Sequence, residues 1–270
     1  MLFDFGSTLT VCPAWMDLEL DTLVDVVLAG LAGRGWPVPR EVDHQRGRRM
    51  LRHLREVART TWMECPARRC VQAILPTLGV PVPPGSVLDR VLEDVYGRLL
   101  PEVSWVPGSR QLLASLAGEG VALGLVSNAA YPPLIRRVLA EAGVALLFGT
   151  VIISAELGWR KPHPAPFLRA LGDLGVAPGE ACHVGDHFHQ DVVGAARAGI
   201  RPVWISAAGG DGTGYPPLYD RAAGVPEPSG PATLARLPGG ATPVVVPDLR
   251  GAAEFVLGAI RENGKEGPRR

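Results

Sequence analysis

The 270-residue sequence predicts an α/β fold in which a doubly wound, Rossmann-like parallel sheet carries an inserted α-helical domain. After about residue 106, short apolar runs alternate with segments of helical periodicity, which is typical of βαβ units. These apolar runs are continuous, as expected of parallel strands that are buried on both faces. Residues 13–105 show helical patterns without a convincing strand, so we predict that they form a separate helical cap domain.

The N-terminal part of the chain opens with the apolar run 1–3, which we interpret as a buried strand that ends at Asp4. Because this strand begins at the first residue, either the strand is short or the natural chain starts upstream of Met1. The predicted cap follows, and its first helix covers residues 17–31, where apolar residues recur at helical spacing. Its other candidate helices cover residues 41–59, 69–78 and 86–100.

The core resumes near residue 107 with helices and strands in regular alternation. The predicted helices cover residues 109–119, 133–142, 164–174, 191–198 and 249–260. The predicted strands cover residues 121–126, 150–154, 181–184, 202–205 and 242–246. The Gly- and Pro-rich residues 207–241 are predicted to form a long loop, and residues 261–270 a polar tail. The predicted core domain therefore comprises residues 1–12 and 106–260.

Composition and charge narrow the range of functions. The formal net charge is zero, so bulk electrostatics indicates neither nucleic-acid binding nor membrane binding. No apolar run approaches the ~18 residues that a membrane-spanning helix requires. The four cysteines form no CxxC pair and follow no signal peptide, which favours a reduced, cytoplasmic protein. Nothing in the pattern indicates an oligomeric state.

Polar residues follow several of the predicted strands at the point where each strand ends. Asp4 follows the first strand, Ser127 and Asn128 follow the second, and Asp186 follows the fourth. Lys161 lies in the loop after the third strand, in a chain whose basic residues are otherwise almost all arginine. A single Asp after a strand is more often a helix cap than a catalyst. The combination is informative because ligands bind at the carboxyl ends of parallel strands, where these residues converge.

These segments resemble the four motifs of the haloacid dehalogenase (HAD) superfamily, and they occur in the family's order. The segments that carry the resemblance are Phe3-Asp4-Phe5-Gly6-Ser7-Thr8-Leu9, Val126-Ser127-Asn128, Arg160-Lys161-Pro162-His163-Pro164, and Gly185-Asp186 followed by Asp191 and Gly194-Ala195. The similarity extends from Met1 to about Ile205. The helical block stands where members of subfamily I carry a C1-type cap. The resemblance implies a Mg²⁺-dependent phosphatase that acts on a small phosphorylated or otherwise anionic metabolite.

The resemblance also implies roles for individual residues. Asp4 is expected to be the nucleophile that forms an aspartyl-phosphate intermediate, and Lys161 a catalytic residue that offsets the negative charge. The carboxylates of Asp4 and Asp186 and the backbone carbonyl of Gly6 are expected to hold Mg²⁺, which prefers oxygen ligands. Asp191 is expected to be either a further ligand or a partner of the metal and of Lys161.

Three more residues are expected to contact the substrate. By the same resemblance, Ser127 hydrogen-bonds a phosphate oxygen, and Asn128 lies beside it. Thr8 occupies the position of the family's motif threonine and is expected to brace the loop that follows Asp4.

One position departs from the family pattern. Phosphatases of the family carry a second aspartate two residues after the nucleophile, and here that position is Gly6, which cannot transfer a proton. Three interpretations follow: a slow or specialised phosphatase that borrows another acid, a dehalogenase-type hydrolase, or a catalytically weak or non-catalytic binding protein. Phosphonatase chemistry is disfavoured, because it needs a cap lysine and residues 12–105 contain none.

Some neighbouring residues admit two interpretations. His187 and His189 flank Asp186 and could act as acid–base groups, but solvent-facing loop residues are the favoured interpretation. His163 is predicted to be structural. The cap arginines either face an anionic substrate or form a solvated helix face; they are Arg46, Arg48, Arg49, Arg52, Arg55 and Arg59. The tryptophans of the cap are predicted to be core residues; they are Trp36, Trp62 and Trp105.

Overall fold

The computed structural model describes residues 1–206 and 237–265, with side chains described up to residue 258. Its strands are β1 (Leu2–Phe3), β2 (Thr10–Val11), β3 (Ser104–Trp105), β4 (Gly124–Ser127), β5 (Thr150–Ile153), β6 (Cys182–Gly185), β7 (Arg201–Ile205) and β8 (Val244–Val246). Six of them form a parallel sheet in the order β5-β4-β1-β6-β7-β8. This sheet confirms the predicted α/β fold. The direction of winding reverses between β1 and β6, which is where ligands bind in sheets of this kind.

The segment between β2 and β3 is helical, as predicted. Its helices are α1 (Pro13–Asp17), α2 (Leu23–Ala32), α3 (His44–Thr61), α4 (Ala67–Ile74) and α5 (Gly85–Gly97). A π-helical turn, Leu18–Thr22, joins α1 to α2, and the 3₁₀ turns Leu75–Leu78 and Leu100–Glu102 come after α4 and α5. We call this part of the chain the helical insertion.

The helices that accompany the sheet cover both of its faces. They are α6 (Ser109–Gly118), α7 (Pro132–Glu141), α8 (Ser154–Leu157), α9 (Ala165–Leu174), α10 (Gly194–Arg197) and α11 (Leu249–Lys265). Successive residues of a strand point to opposite faces, and Leu2 and Phe3 of β1 belong to different apolar clusters. Leu2 packs with Phe167 of α9, whereas Phe3 belongs to a larger cluster that is continuous with the interior of the helical insertion.

The prediction that residues 13–105 contain no strand was wrong at their C-terminal end. β3 pairs with β2 in a two-residue antiparallel ladder, with Thr10 opposite Trp105 and Val11 opposite Ser104. Two residues are too few to produce a readable period, so the sequence pattern could not reveal them. Because the two connections of the insertion pair with each other in this ladder, the domain boundaries at residues 12/13 and 105/106 stay predictions.

Two other boundaries differ from the predicted ones. The predicted strand 121–126 begins only at Gly124 and extends to Ser127, because its neighbour β1 begins at Leu2, which lies opposite Gly124. The closing helix α11 continues to Lys265, so the first residues of the predicted polar tail are helical. The predicted long loop lies outside the described residues, except for residues 237–241. None of the helices in the described part of the chain is long and apolar enough to cross a membrane.

Candidate active site

The carboxyl ends of three neighbouring strands carry residues that the sequence pattern selected. Asp4 follows β1, Ser127 is the last residue of β4, and Asp186 follows β6. The backbone N–H of Asp4 donates to the carbonyl oxygen of Val184 at 2.9 Å. This bond extends the sheet ladder by one residue, so the backbone of Asp4 is fixed between the ends of β4 and β6.

Lys161 places its ammonium group between two carboxylates. Its Nζ donates to Oδ1 of Asp4 at 2.5 Å and to Oδ1 of Asp191 at 2.6 Å. Asp191 also accepts a hydrogen bond from His183 Nε2 at 2.9 Å and one from the backbone N–H of His187 at 3.0 Å. The lysine is only 2% exposed, so these carboxylates, not solvent, compensate its charge. Both oxygens of Asp191 are therefore engaged, and Asp191 holds Lys161 against Asp4.

Asp186 completes a group of three carboxylates. The hydroxyl of Thr8 donates to Asp186 Oδ1 at 3.1 Å, and the indole N–H of Trp204 donates to the backbone carbonyl of Asp186 at 2.9 Å. One oxygen from each of Asp4, Asp186 and Asp191 lies within 4.8 Å of the other two. We call these three aspartates together with Lys161 the acidic site. Its three carboxylates outnumber its single ammonium group.

The three aspartates of the acidic site differ in pKa: the pKa values of Asp4 and Asp186 are raised, and that of Asp191 is lowered. Burial raises the pKa of Asp4 to about 6, although the neighbouring ammonium of Lys161 opposes that shift. Burial and then the negative charges of Asp4 and Asp191 raise the pKa of Asp186 well above its ordinary value. Burial alone would also raise the pKa of Asp191, but Lys161 and the hydrogen bond from His183 outweigh it and lower that pKa.

The residues of the acidic site fit a hard divalent cation. Such ions take carboxylate and carbonyl oxygens as ligands. A cation beside Asp4 and Asp186 would stabilise their ionised forms and so oppose the effect of burial that raises both of their pKa values. Gly6 lies in an exposed turn two residues after Asp4, and its expected role as a carbonyl ligand stays a prediction.

The close packing of Asp191 against Gly185 explains why the residue before Asp186 is a glycine. A Cβ atom on Gly185 would lie 2.3 Å from Cγ of Asp191 and 2.5 Å from its Oδ2, which is far closer than any real contact. The carboxylate of Asp191 therefore packs directly against the backbone at the end of β6. Any side chain at this position would displace the group that holds Lys161.

Asn128 hydrogen-bonds to the backbone of the loop between α8 and α9 (residues 158–164), which carries Lys161 and which we call the lysine loop. Its Nδ2 donates to the carbonyl oxygen of Lys161 at 3.0 Å and to Oε1 of Gln190 at 2.7 Å, and its Oδ1 accepts from the N–H of Lys161 at 2.8 Å. These contacts position Lys161. The expectation that Asn128, Ser127 and Thr8 contact the substrate stays a prediction, since the described contacts of Asn128 and Thr8 are to the protein.

Sequence reasoning missed two of the residues that support this site. His183 is buried within β6, where its position in an apolar run hid its contact with Asp191. Glu64, whose side chain is 2% exposed, accepts a hydrogen bond from Ser154 at 2.6 Å and lies 3.6 Å from Arg160. Glu64 thereby ties the helical insertion to the residue before Lys161. The sequence carries no signal for it.

The arginines of α3 do not share one role. Arg48 and Arg52 form exposed ion pairs with Asp25 and Asp21, which agrees with a solvated helix face. Arg55 is 4% exposed and pairs with Glu19 inside the insertion. Arg59 instead lines a cleft next to Lys161; the other residues that line this cleft are Arg160, Pro162, His187, His189 and Gln190.

The histidines and tryptophans near the site also differ from one another in exposure and contacts. His187 and His189 are only partly exposed and line the cleft, so they are less open to solvent than expected. The ring of His163 stacks on that of Trp159 with centroids 4.1 Å apart, in keeping with the predicted structural role. Trp36 and Trp105 pack against the core, as predicted. Trp62, the third predicted core tryptophan, instead lies under the guanidinium of Arg197, 4.4 Å from the ring centroid.

Comparison with known proteins places this site in a family. The family described as haloacid dehalogenase-like hydrolase matches residues 1–199. Among curated relatives, the phosphoserine phosphatase of Thermus thermophilus is 41% identical over 116 residues, which cover 43% of this chain and 46% of that protein. The phosphoglycolate phosphatase of Yersinia pseudotuberculosis is 36% identical over 111 residues, covering 41% of this chain and 47% of that protein. The match spans less than half the length of these relatives.

Solved structures show the same fold over nearly the whole chain. A HAD phosphatase from Thermococcus onnurineus has a TM-score of 0.54 at 22% identity, covering 95% of this chain and 96% of that one. A 2-haloacid dehalogenase from Pseudomonas syringae has a TM-score of 0.56 at 23% identity, covering 96% of this chain and 97% of that one. At these identities the likeness concerns the fold alone.

Proposed function

The chain belongs to the haloacid dehalogenase-like hydrolase family, and we propose that it is a Mg²⁺-dependent phosphatase of a small phosphorylated metabolite. One observation carries the proposal: three aspartates lie together at the sheet edge where β1 and β6 end, and the ammonium of Lys161 donates to two of them, Asp4 and Asp191. This excess of carboxylate oxygen suits a site that takes up a divalent cation together with a phosphate. The names of the curated relatives, which are phosphatases of small phosphorylated metabolites, also support the proposal.

Asp4 is the proposed nucleophile. Its carboxylate is held by the sheet ladder through its backbone and by Lys161 through Oδ1. Attack of a carboxylate oxygen on phosphorus forms an aspartyl-phosphate and releases the alcohol, and water then cleaves the acyl phosphate. A single difficult displacement is thereby divided into two easier steps.

The remaining residues of the acidic site prepare Asp4 for this step. The ammonium of Lys161 offsets the charge of Asp4 and of an incoming phosphate, and Asp191 keeps that ammonium in place. Preorganised charges of this kind dominate phosphoryl-transfer catalysis. Asp4, Asp186 and the backbone carbonyl of Gly6 would hold the cation, which when bound supplies charge neutralisation at the phosphate oxygens.

Gly6 occupies the position at which phosphatases of the family carry the aspartate that donates a proton, so this chain has no proton donor there. The leaving alcohol must still take a proton, so we propose that the substrate itself or a cleft residue supplies it. Gly6 is exposed, and a Cβ at this position would meet no atom within 4 Å. An aspartate therefore fits here without displacing a neighbour, which makes the missing acid directly testable.

The primary test measures p-nitrophenyl phosphate hydrolysis with Mg²⁺ and with a chelator, in wild type and in Asp4→Asn. We expect turnover that requires both Mg²⁺ and Asp4. Wild-type turnover no greater than that of Asp4→Asn would reject the phosphatase. Halide release from 2-haloacids in the presence of chelator would instead indicate the dehalogenase-type alternative.

A second experiment asks whether Gly6 limits the rate. General acid–base catalysis contributes about 10²–10⁴-fold, so Gly6→Asp should raise the turnover of substrates with poor leaving groups towards that range. Gly6→Asn is the matched control, because it has the same shape but cannot transfer a proton. Equal rates for the two variants would show that another group already serves as the acid.

The proposed setting is a reduced, cytoplasmic one, in line with four cysteines that are all free thiols. Small phosphorylated metabolites are the proposed ligands.

A further inference from the structure

Two cysteines of the helical insertion lie in contact. The thiol of Cys70 donates to the sulfur of Cys65 at 2.7 Å and to its carbonyl oxygen at 3.5 Å. Cys65 lies in the segment between α3 and α4, and Cys70 lies within α4. A disulfide bond is about 2.05 Å long, so the two sulfur atoms need to approach only slightly to form one. Among the four cysteines of the chain, these are the two whose sulfur atoms are in contact.

The fold fixes the backbone of both cysteines. The N–H of Cys65 donates to a carboxylate oxygen of Glu64 at 2.9 Å, and the carbonyl oxygen of Cys65 accepts from Nη1 of Arg55 at 2.7 Å. The N–H of Cys70 donates to the carbonyl oxygen of Pro66 at 3.0 Å, at the start of α4. The two sulfurs therefore meet because the chain positions them, and little conformational freedom remains to be lost when they bond.

The two thiols differ in their exposure to solvent. Cys70 is completely buried, whereas Cys65 is partly exposed. A small oxidant dissolved in water therefore reaches Cys65 before it reaches Cys70. An accessible thiol next to a second thiol that can displace its oxidised form is the arrangement of a redox-sensing site.

Cys65 is also the more readily ionised of the two thiols. The hydrogen bond from Cys70 lowers the pKa of the Cys65 thiol to about 7. Burial and the carboxylate of Glu64 oppose this shift, while the guanidinium groups of Arg55 and Arg69 assist it. The same hydrogen bond, together with burial, raises the pKa of the Cys70 thiol. Because the thiolate is the nucleophile in thiol chemistry, Cys65 is the reactive member of the pair.

We propose that Cys65 and Cys70 form a reversible redox site that a peroxide oxidises to a disulfide. The sulfur of Cys65 attacks an oxygen of hydrogen peroxide, the O–O bond breaks, and a sulfenic acid forms while hydroxide leaves and takes up a proton. The sulfur of Cys70 then attacks the sulfenic sulfur, so that the S–S bond forms and the S–O bond breaks. The departing hydroxide takes the proton of Cys70. Two thiols have then lost two electrons and two protons, and the peroxide has become two molecules of water.

A thiol reductant returns the disulfide to two thiols by exchange. In a reducing compartment, disulfides are mostly of this transient, redox-sensing kind. The bond joins α4 to the residue that follows Glu64, so oxidation acts on the segment that ties the helical insertion to the lysine loop. The inference does not depend on the proposed phosphatase function, since neither cysteine belongs to the acidic site.

The direct test maps the thiols of the folded protein after exposure to peroxide. The reduced protein is treated with hydrogen peroxide, remaining thiols are blocked with N-ethylmaleimide in denaturant, and tryptic peptides are analysed by mass spectrometry. Trypsin cleaves after Arg68 and Arg69, so a disulfide between Cys65 and Cys70 holds two peptides together. We expect these linked peptides, with the other two cysteines blocked, and four blocked cysteines after dithiothreitol. Four free thiols after peroxide, a different pair, or a sulfinic acid at Cys65 beside a free Cys70 overturns the site.

Single variants assign the two roles. In Cys70→Ser, peroxide should leave a sulfenic acid at Cys65 that dimedone traps. In Cys65→Ser, the thiol of Cys70 should react with peroxide at least about 10-fold more slowly than Cys65 does in Cys70→Ser. Equal rates would overturn the role of Cys65 as the attacking thiol.

Cys12→Ser is the matched control. Cys12 is also partly exposed, but burial raises the pKa of its thiol. This variant should form the disulfide between Cys65 and Cys70 at the wild-type rate, and loss of that disulfide would overturn the pairing. Thermal unfolding verifies that each variant is folded, and the mapping of the wild-type protein needs no variant.

Discussion

Two clusters of buried charged residues lie in different parts of the molecule, and they differ in how their positive and negative charges balance. In the acidic site, three carboxylates lie together with a single ammonium group, that of Lys161, which donates to Asp4 and Asp191. In the helical insertion, Arg55 pairs with Glu19, and the hydroxyl of Tyr96 donates to the same carboxylate at 2.5 Å. We call Glu19, Arg55, Glu64 and Tyr96 the insertion cluster.

The two clusters differ in charge balance. Glu19 and Glu64 of the insertion cluster are balanced by Arg55 and by the nearby Arg160, at 3.6 Å from Glu64. The acidic site has no such balance, and burial and carboxylate repulsion raise the pKa of Asp186 well above its ordinary value. The charges of the insertion cluster compensate one another, so removal of one partner should be destabilising. The acidic site would gain from an added cation, because a nearby positive charge favours the ionised carboxylates. The difference separates a structural network from a site of chemistry.

The largest expected effect is on turnover in the acidic site. Asp4→Asn should lower kcat by at least about 10³-fold, since it removes the nucleophile. In metal-free buffer the same change should leave the free energy of unfolding equal or higher, because it relieves carboxylate repulsion while Asp191 still holds Lys161. Steady-state kinetics and urea unfolding measure the two quantities. A clear loss of stability would show that the acidic site is structural after all.

The insertion cluster should respond in the opposite sense. Arg55→Met leaves Glu19 buried without its partner, so it should lower the free energy of unfolding by about 3–5 kcal/mol. Chemical denaturation measures the loss, and added Mg²⁺ should not restore it. The control is Arg48→Met on the same helix, whose exposed pair with Asp25 contributes about 0–1 kcal/mol. Similar losses in the two variants would remove the distinction between a buried and an exposed pair.

Mg²⁺ itself should distinguish the two clusters. At a free concentration of about 100 times Kd, Mg²⁺ should raise the free energy of unfolding by about 2.7 kcal/mol. Thermal unfolding with and without chelator measures the rise. Asp186→Asn should largely abolish it, whereas Glu64→Gln in the insertion cluster should preserve it. If Glu64→Gln removed the effect as well, the cation would not be bound by the acidic site alone.

The smallest effect concerns the glycine beneath Asp191. Gly185→Ala forces the carboxylate of Asp191 away from the backbone and should cost about 1–3 kcal/mol of stability. Gly172 lies inside α9, where a Cβ meets no atom within 4 Å, so Gly172→Ala should stabilise the protein by about 0.5–1 kcal/mol. Urea midpoints of the two variants should move in opposite directions. A shift of the same sign would contradict the packing described for Gly185.

Part of the acidic site could be predicted because its residues follow strands. Asp4 and Asp186 directly follow strands and Lys161 lies in the loop after another, positions that a parallel sheet brings to one edge. Asp191 lies in the helical turn Phe188–Val193 and was expected only from the family resemblance. The contacts of Asn128 with both backbone groups of Lys161 could not be predicted in the same way. These contacts depend on how two loops lie relative to each other in the folded structure, which the periodicity of the sequence does not encode.

The sequence by itself determined the alternation of strands and helices, the helical insertion and the carboxylates at the strand ends, because these follow from local periodicity and from the order of the elements. Only the tertiary structure decided which arginine of α3 reaches the cleft, that Glu64 and His183 support the lysine loop, and that Gly185 makes room for Asp191. Each of these depends on distances between segments far apart in the chain. Such distances are set by the packing of the insertion against the sheet, and so is the contrast between the balanced insertion cluster and the unbalanced acidic site.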